Sequence, residues 1–515
     1  MNHACGDDGD ACFGGEPQDS ERRAWLRAAA LAPLAATFAP IAAAERLRPP
    51  AGTQVIEAGW ALVPGPESQR GFGLLRDAFI VVQDGRIAEV SQRRPAGRNH
   101  RIDARRMLVT PGFISCHTHV CGGSVTRGLF EGRRSYARPL ELAEQLPERQ
   151  LDDLTAWNLA ELLRSGCTTQ LDMALSLRQA ASYVRIARRW GVRAYPAGMV
   201  PGIGRLFAVW QRTDDQLLTN SVPATLQEIA DNLRFAYSVN GAEDGLILPL
   251  MAPHACDTHT PETMTAMSSG ARQLGHGLHI HLAQGGREAE VVQKLWGARP
   301  VEWLAKLGVL EQKVFGAHMT GLDLRNDPAL LRQHRVTYAT CPSAGGANGF
   351  TQPWPELLAA GVDTNIGIDT HSNDYIENIK LAVIKGEARW SLLRKTSEVP
   401  LQRPTIHDAL AAATWRPADA LGRADLGRLA AGAQADLTCI DLTGPLVGVG
   451  ALPPEPLTHL LYANGTAVRH TMTRGRWQVF DGQLVVEDFA ALSARAGAAI
   501  QALWRLLEQD GFFKH

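Results

Sequence analysis

Apolar and polar positions follow two rhythms along this chain. Between residues 55 and 102, short β-branched runs are broken by turn signals, with Asp84-Gly85 set between Phe79-Ile80-Val81-Val82 and Ile87-Ala88-Glu89-Val90. Asp-Gly between two apolar runs predicts a hairpin, because both residues tolerate the positive φ of a tight turn. The same texture returns at residues 435–440 and 471–482. Together these stretches predict one small β-sandwich built from both ends of the chain, residues 52–106 and 432–487. Helical spacing from Phe489 to Leu507 predicts a C-terminal helix within 488–515, packed on the outside of that sandwich.

Residues 107–431 read differently. A buried strand is expected over Met107 to His119, followed by strands near 168–174, 192–200, 246–255, 278–284, 314–320, 335–344 and 363–370. Helix-like segments such as 152–164, 261–274 and 375–394 separate most of them. Eight βα units predict an α/β fold, a TIM (β/α)8 barrel inserted in the sandwich, with chemistry at the C-terminal ends of the strands.

Polar residues fall on those ends. His117 and His119 stand i, i+2, so on a strand they share a face and can grip one ion. Further along come His254, the pair His279 and His281, then Gln284, His318, Asp369 and His371.

The totals fit this picture. With 515 residues, 45% hydrophobic and 20% charged, the chain can bury a large core. A net charge of -1 argues against nucleic acid as a partner, since no basic excess exists to neutralise phosphates. The eight cysteines include no CxxC pair, and those beyond Cys5 and Cys12 lie in or beside apolar runs, so buried free thiols are expected.

Residues 1–44 have the look of a targeting segment. Arg22-Arg23-Ala24-Trp25-Leu26 resembles a twin-arginine export signal, followed by an apolar run from Ala28 to Ala43 and a small-residue cleavage site at Ala42-Ala43-Ala44. Pro33 and Pro40 interrupt that run, so stable membrane insertion is not expected. The expectation is export to the periplasm, or a cytoplasmic protein if the leader is not processed.

Several separated motifs, in one order, resemble the amidohydrolase superfamily, and within it the cyclic-amidine deaminase and triazine hydrolase branch. They are Val109-Thr110-Pro111-Gly112-Phe113, Ala252-Pro253-His254-Ala255, Cys341-Pro342-Ser343 and residues 426–437, beside the strand-end histidines. The resemblance runs from about Val55 to Val486 and implies the same barrel-within-a-sandwich architecture. It also implies a divalent ion, most simply zinc, with iron or manganese as alternatives, held by His117, His119, His281 and Asp369. Three nitrogens and one carboxylate are a normal donor set for such an ion. Relatives with two metals bridge them with a lysine ending strand four. The first of the seven lysines here is Lys294, beyond strand five, so one metal is expected.

The implied chemistry is attack by an activated water whose proton passes to Asp369, with His318 stabilising developing charge and His254 contacting substrate or serving the fold. One departure matters. Where the deaminase branch carries glutamate three residues after the strand-five histidine, this chain has Gln284, whose amide has no titratable proton. The expectation is therefore a hydrolase of non-peptide C–N bonds in an amide, carbamate or urea-like small molecule, with Gln284 orienting a substrate carbonyl. The alternatives are a deaminase or chlorohydrolase of a nitrogen heterocycle, and a catalytically silent metal-binding barrel. Aromatic residues Phe130, Trp210, Phe350 and Trp354 are candidates to line the pocket. The stretch 121–151, with Arg127, Arg133, Arg134 and Arg138, is a candidate lid or homo-oligomer contact, and its arginines could meet an acidic substrate.

Overall fold

Eight parallel strands close into a barrel: β5 (Phe113–Thr118), β6 (Cys167–Ala174), β7 (Arg193–Val200), β8 (Ala252–Pro253), β9 (Leu278–Leu282), β10 (Val314–His318), β11 (Thr337–Thr340) and β12 (Thr364–Ile366). The computed structural model describes residues 52–65, 71–97, 100–129, 137–210, 215–347 and 349–514. The expected leader, Phe130, Arg133, Arg134 and the side chain of Trp210 lie outside the described residues. Hydrogen bonding runs β5-β6-β7-β8 and β9-β10-β11-β12. Parallel bridges at Met251–Leu278 and Thr118–Asp369 join the two halves. All eight strands are buried along their whole length, because barrel side chains fill one face and helices cover the other.

The outer helices start and stop where local chemistry directs. The hydroxyl of Ser176 accepts from the Gln179 N–H at 3.2 Å to open Leu177–Trp190, and Gly191, at φ 68°, ends it. Tyr375–Leu393 is capped by Asp374, which accepts from the Glu377 N–H at 2.9 Å. Asp369 and His371 are thus left free of the capping role that their place in a strand-to-helix turn would suit.

Strands from the two ends of the chain form one eight-stranded sheet. They are β1 (Gln54–Pro64), β2 (Phe72–Gln83), β3 (Arg86–Ser91), β4 (His100–Pro111), β13 (Leu437–Asp441), β14 (Val468–Thr473), β15 (Arg476–Phe480) and β16 (Gln483–Leu484), in the order β16-β15-β14-β13-β4-β1-β2-β3. The sheet curls back on itself, so the two layers of the expected sandwich are continuous: Ile87 N–H donates to the Ala433 carbonyl at 2.8 Å, and Ala435 N–H to that of Gly85 at 2.9 Å. Ile56, Ile80, Ile102, Leu437 and Met472 fill the space enclosed.

Two details differ from the sequence pattern. The apolar run Met107 to His119 is shared between two sheets, with Met107–Pro111 ending β4 and Phe113–Thr118 forming β5. Gly112 is the joint, where any side chain would run into Thr168. The C-terminal helix, Phe489–Gln509, packs on the barrel helices Glu148–Arg164 and Ala137–Ala143 rather than on the sheet. Its buried Ala499, Leu503 and Leu507 share a core with Leu151 and Leu154, and Arg495 Nε reaches Asp153 Oδ1 at 2.9 Å.

Among the described residues no helix is long and apolar enough to cross a membrane. The six described cysteines are free and buried.

Candidate metal centre and cavity

Five side chains converge at the C-terminal mouth of the barrel. His117 and His119 leave the end of β5, His281 is the fourth residue of β9, His318 ends β10 and Asp369 follows β12. The donor atoms of His117, His119 and His281 lie within 4.8 Å of one another, and so do those of His117, His318 and Asp369. From Asp369 Oδ1 it is 3.3 Å to His119 Nε2 and 3.7 Å to His117 Nε2, while Oδ2 lies 3.8 Å from His318 Nε2. His318 thus stands as close to the centre as the four expected ligands.

The backbone is bent to make this possible. Ala283, His318, Met319, Asp369 and His371 all have positive φ, between 45° and 75°. Non-glycine residues rarely adopt that region, and such strain concentrates where a site demands it. At β10 and after β12 it turns His318 and Asp369 out of the strand alternation.

The far nitrogens of the rings are held from behind. His119 Nδ1 lies 2.5 Å from the Met173 carbonyl, His281 Nδ1 2.9 Å from the His254 carbonyl, and His117 Nδ1 2.8 Å from His279 Nε2. Each arrangement aims Nε2 inward. His117 Nε2 and His318 Nε2 are buried without a hydrogen-bond partner. Burial pushes the His117 imidazole down to about 3 despite the nearby Asp369, and drives His281 and His279 well below the usual range. Burial opposes the charge of Asp369, but His117 and His119 beside it hold the carboxyl well below its ordinary value. Burial disfavours charge on His119 too, but Asp369 holds that ring above its ordinary value. Neutral rings with orphaned inward nitrogens at His117 and His318, next to a carboxylate, are what a divalent cation requires. The residues present fit a divalent ion.

A cavity of about 240 Å³ opens over this centre. His254, Gln284 and His371 reach it, joining His119, His281, His318 and Asp369. Burial lowers His254 to about 3, so it lines the cavity as a neutral ring. His371 meets the Thr126 hydroxyl at 2.7 Å through Nδ1. Opposite lies an apolar wall from Leu140, Leu175, Met199, Ile203, Leu206 and Phe207, none of which the sequence pattern had marked. Phe350, 57% exposed, stands at the mouth, whereas Trp354 is in the core behind. Arg127 pairs with Glu161 through both guanidinium nitrogens at 2.7 and 2.8 Å, and Arg138 pairs with Glu141 and Asp510, so neither is spare for an acidic substrate.

Glu288, beyond β9 on the helix Gly286–Trp296, is buried on the cavity wall. Its oxygens accept from the backbone N–H of Gln284 at 2.7 Å and of Cys256 at 3.2 Å. Burial, reinforced by nearby Asp257, raises its carboxyl to about 8. Asp257 faces Arg287 at 3.5 Å.

The sequence profile of the Amidohydrolase family matches residues 108–478. The chain belongs to that family. Among its relatives, the 5-methylthioadenosine/S-adenosylhomocysteine deaminase of Pelotomaculum thermopropionicum is 31% identical over 440 residues, 82% of this chain and 91% of the relative. The 8-oxoguanine deaminase of Pseudomonas aeruginosa is 30% identical over 456 residues, 84% of this chain and 96% of the relative. Zinc-bound atrazine chlorohydrolase of Arthrobacter aurescens superposes with a TM-score of 0.73 at 19% identity, over 87% of this chain and all of that one, a likeness of fold. This amidohydrolase is therefore a hydrolase of carbon–nitrogen bonds other than peptide links, acting on small molecules.

Proposed function

We propose that this amidohydrolase cleaves the C–N bond of an amide, carbamate or urea-like small molecule carrying an apolar group. The observation that carries the reading is the state of the cavity's carboxylates. Gln284 has no proton to give, and Asp257 faces Arg287. Burial keeps the Glu288 carboxyl protonated to about pH 8, but both its oxygens are turned to the backbone N–H groups of Cys256 and Gln284 and away from a substrate. Asp369 is left to act alone, taking a proton from water and passing it to the leaving nitrogen. That suffices where the attacked carbon is already a carbonyl; a ring amidine needs a second acid to protonate its ring nitrogen. His318 faces the same space and stabilises charge on the carbonyl oxygen. A divalent ion held by His117, His119, His281 and Asp369, zinc by the example of its structural neighbours, supplies Lewis acidity and a water of lowered pKa. The apolar wall receives the rest of the substrate.

A second reading, removal of an amino group from a nitrogen heterocycle, is favoured by the deaminases among the relatives. Substrate screening with aryl amides, carbamates and ureas against amino-purines and amino-triazines separates the two. Turnover of the carbonyl compounds is expected, with Asp369→Asn lowering kcat by at least about 10²-fold; turnover confined to amino-heterocycles moves the assignment to the second reading. The leader belongs to the same proposal: Arg22-Arg23 and the apolar run after it support export, and an intact Met1 on protein isolated from its source would contradict it.

A further inference from the structure

Two glutamines line the cavity, and they are in opposite states. Gln352 is consumed by the fold: its Oε1 accepts from the Cys341 N–H at 2.6 Å and the Tyr338 hydroxyl at 3.3 Å, and its Nε2 donates to the Cys341 carbonyl at 3.0 Å. Gln284 is the reverse. Its backbone is clamped on both sides, the N–H by Glu288 at 2.7 Å and the carbonyl by the Thr320 hydroxyl. The residues before it are pinned as well, with Met319 N–H on the Leu282 carbonyl at 3.2 Å and Gly321 N–H on that of Ala283 at 2.8 Å. Yet its side-chain amide makes no hydrogen bond among the described residues, although Gln284 is half-buried on the cavity wall beside His281 and His318. A polar side chain on a fixed backbone, facing the cavity without a protein partner, is available to a ligand.

What it can pair with follows from its atoms. A primary amide offers one acceptor and, syn to it, one donor. Its complement is a neutral edge with an acceptor and an N–H donor side by side. Among carbonyl compounds that means C=O and N–H on one edge, and among neutral amino-heterocycles a ring nitrogen beside an amino group. Lactams, cyclic ureas and imides present the carbonyl form, as do primary amides. Open-chain secondary amides do not, because they are overwhelmingly trans and their two groups point apart. An amidinium offers two donors, which suits a carboxylate and leaves a donor facing the amide nitrogen of Gln284.

We infer that Gln284 is a specificity determinant, pairing its side-chain amide with the syn C=O/N–H edge of a cyclic amide or urea and rejecting amidinium-type rings. The inference deepens the hydrolase reading and rests on it for the identity of the reacting bond. The substrate class narrows accordingly to ring lactams, cyclic ureas and imides, or primary amides on an apolar body.

The test is calorimetric binding to the metal-loaded protein with three probes: 2-quinolone, N-methyl-2-quinolone and benzamidine. Wild type is expected to bind 2-quinolone about tenfold more tightly than its N-methyl derivative, which has lost the donor. Gln284→Met, similar in shape but unable to pair, brings the two within about twofold. Gln284→Glu weakens 2-quinolone and strengthens benzamidine. Equal binding of the two quinolones by wild type, or a ratio unchanged in a Gln284→Met variant that melts like wild type, overturns the inference. If the Gln284-dependent ratio is present while only amino-heterocycles are turned over, the amide, carbamate or urea reading fails and the recognition role of Gln284 stands.

Discussion

At the scale of single residues, the centre depends on atoms that never touch an ion. His279 Nε2 holds His117 Nδ1 at 2.8 Å, and both rings are wholly buried. Replacing His279 by alanine leaves His117 free to turn, since nothing else among the described residues is bonded to that nitrogen. Metal affinity is expected to fall about 10- to 100-fold, read by competition with a chelator, while the melting curve of the metal-saturated variant stays near wild type. An unchanged affinity would mean that the barrel wall alone fixes the His117 ring. The pair His117 and His119 was legible from the period of a strand, whereas His281 and Asp369 were picked out through the family resemblance, and the structure brings all four to one place. The burial of Glu288 in the cavity wall was not legible. Its side chain turns back into the wall only because the turn at Ala283–Gly285 brings the Gln284 N–H to it, and no spacing rule encodes that turn.

At the scale of elements, a buried ion pair is one of the links between sheet and barrel. Arg193 on β7 meets Asp436, just before β13, at 2.9 Å through Nε and 3.2 Å through Nη2, with side chains 2% and 3% exposed. Asp436 Oδ1 also accepts the Arg474 N–H at 2.7 Å. Removing one partner strands a charge in the interior, so Arg193→Met alone is expected to cost about 3–5 kcal/mol in urea unfolding. The double variant with Asp436→Leu should recover part of that loss; if it is as unstable as the sum of the two singles, the pair is not coupled. A second element carries a pH signature. His470 on β14 accepts the Asp481 N–H at Nδ1, 3.1 Å away, which only a neutral ring with its proton on Nε2 can do. Burial lowers this imidazole from 6.5 to about 4, against the pull of Asp481. The unfolded chain therefore takes up the proton first as pH falls, and stability present above pH 6.5 is lost on the way to pH 4. The loss is at most roughly 3 kcal/mol. In His470→Gln that one-proton slope should vanish from urea midpoints measured between pH 4 and 7. Sheet and barrel were both visible as patterns, but the joint at Gly112 was not, because Met107 to His119 is apolar throughout and nothing in its period marks a change of sheet.

At the scale of the whole molecule, the candidate centre is also a closure. Its ligands come from β5 in one half of the barrel and from β9, β10 and the end of β12 in the other, and the Thr118–Asp369 bridge is the seam between them. An ion there binds the folded barrel and not the open one, so it stabilises by mass action, about 4 kcal/mol at a thousand times its Kd. Without it, the inward-facing nitrogens of His117, beside the seam, and of His318 across the mouth lack partners, so the seam is expected to open first. The curled terminal sheet has its own core and no share in the centre. Chelation should therefore lower the melting temperature and raise amide exchange first at residues 113–119 and 364–371. Protection along β1, β2 and β4 should change little. Loss of protection spread evenly over sheet and barrel would show instead that the ion stabilises the molecule as one cooperative unit and does not act as a clasp on the seam.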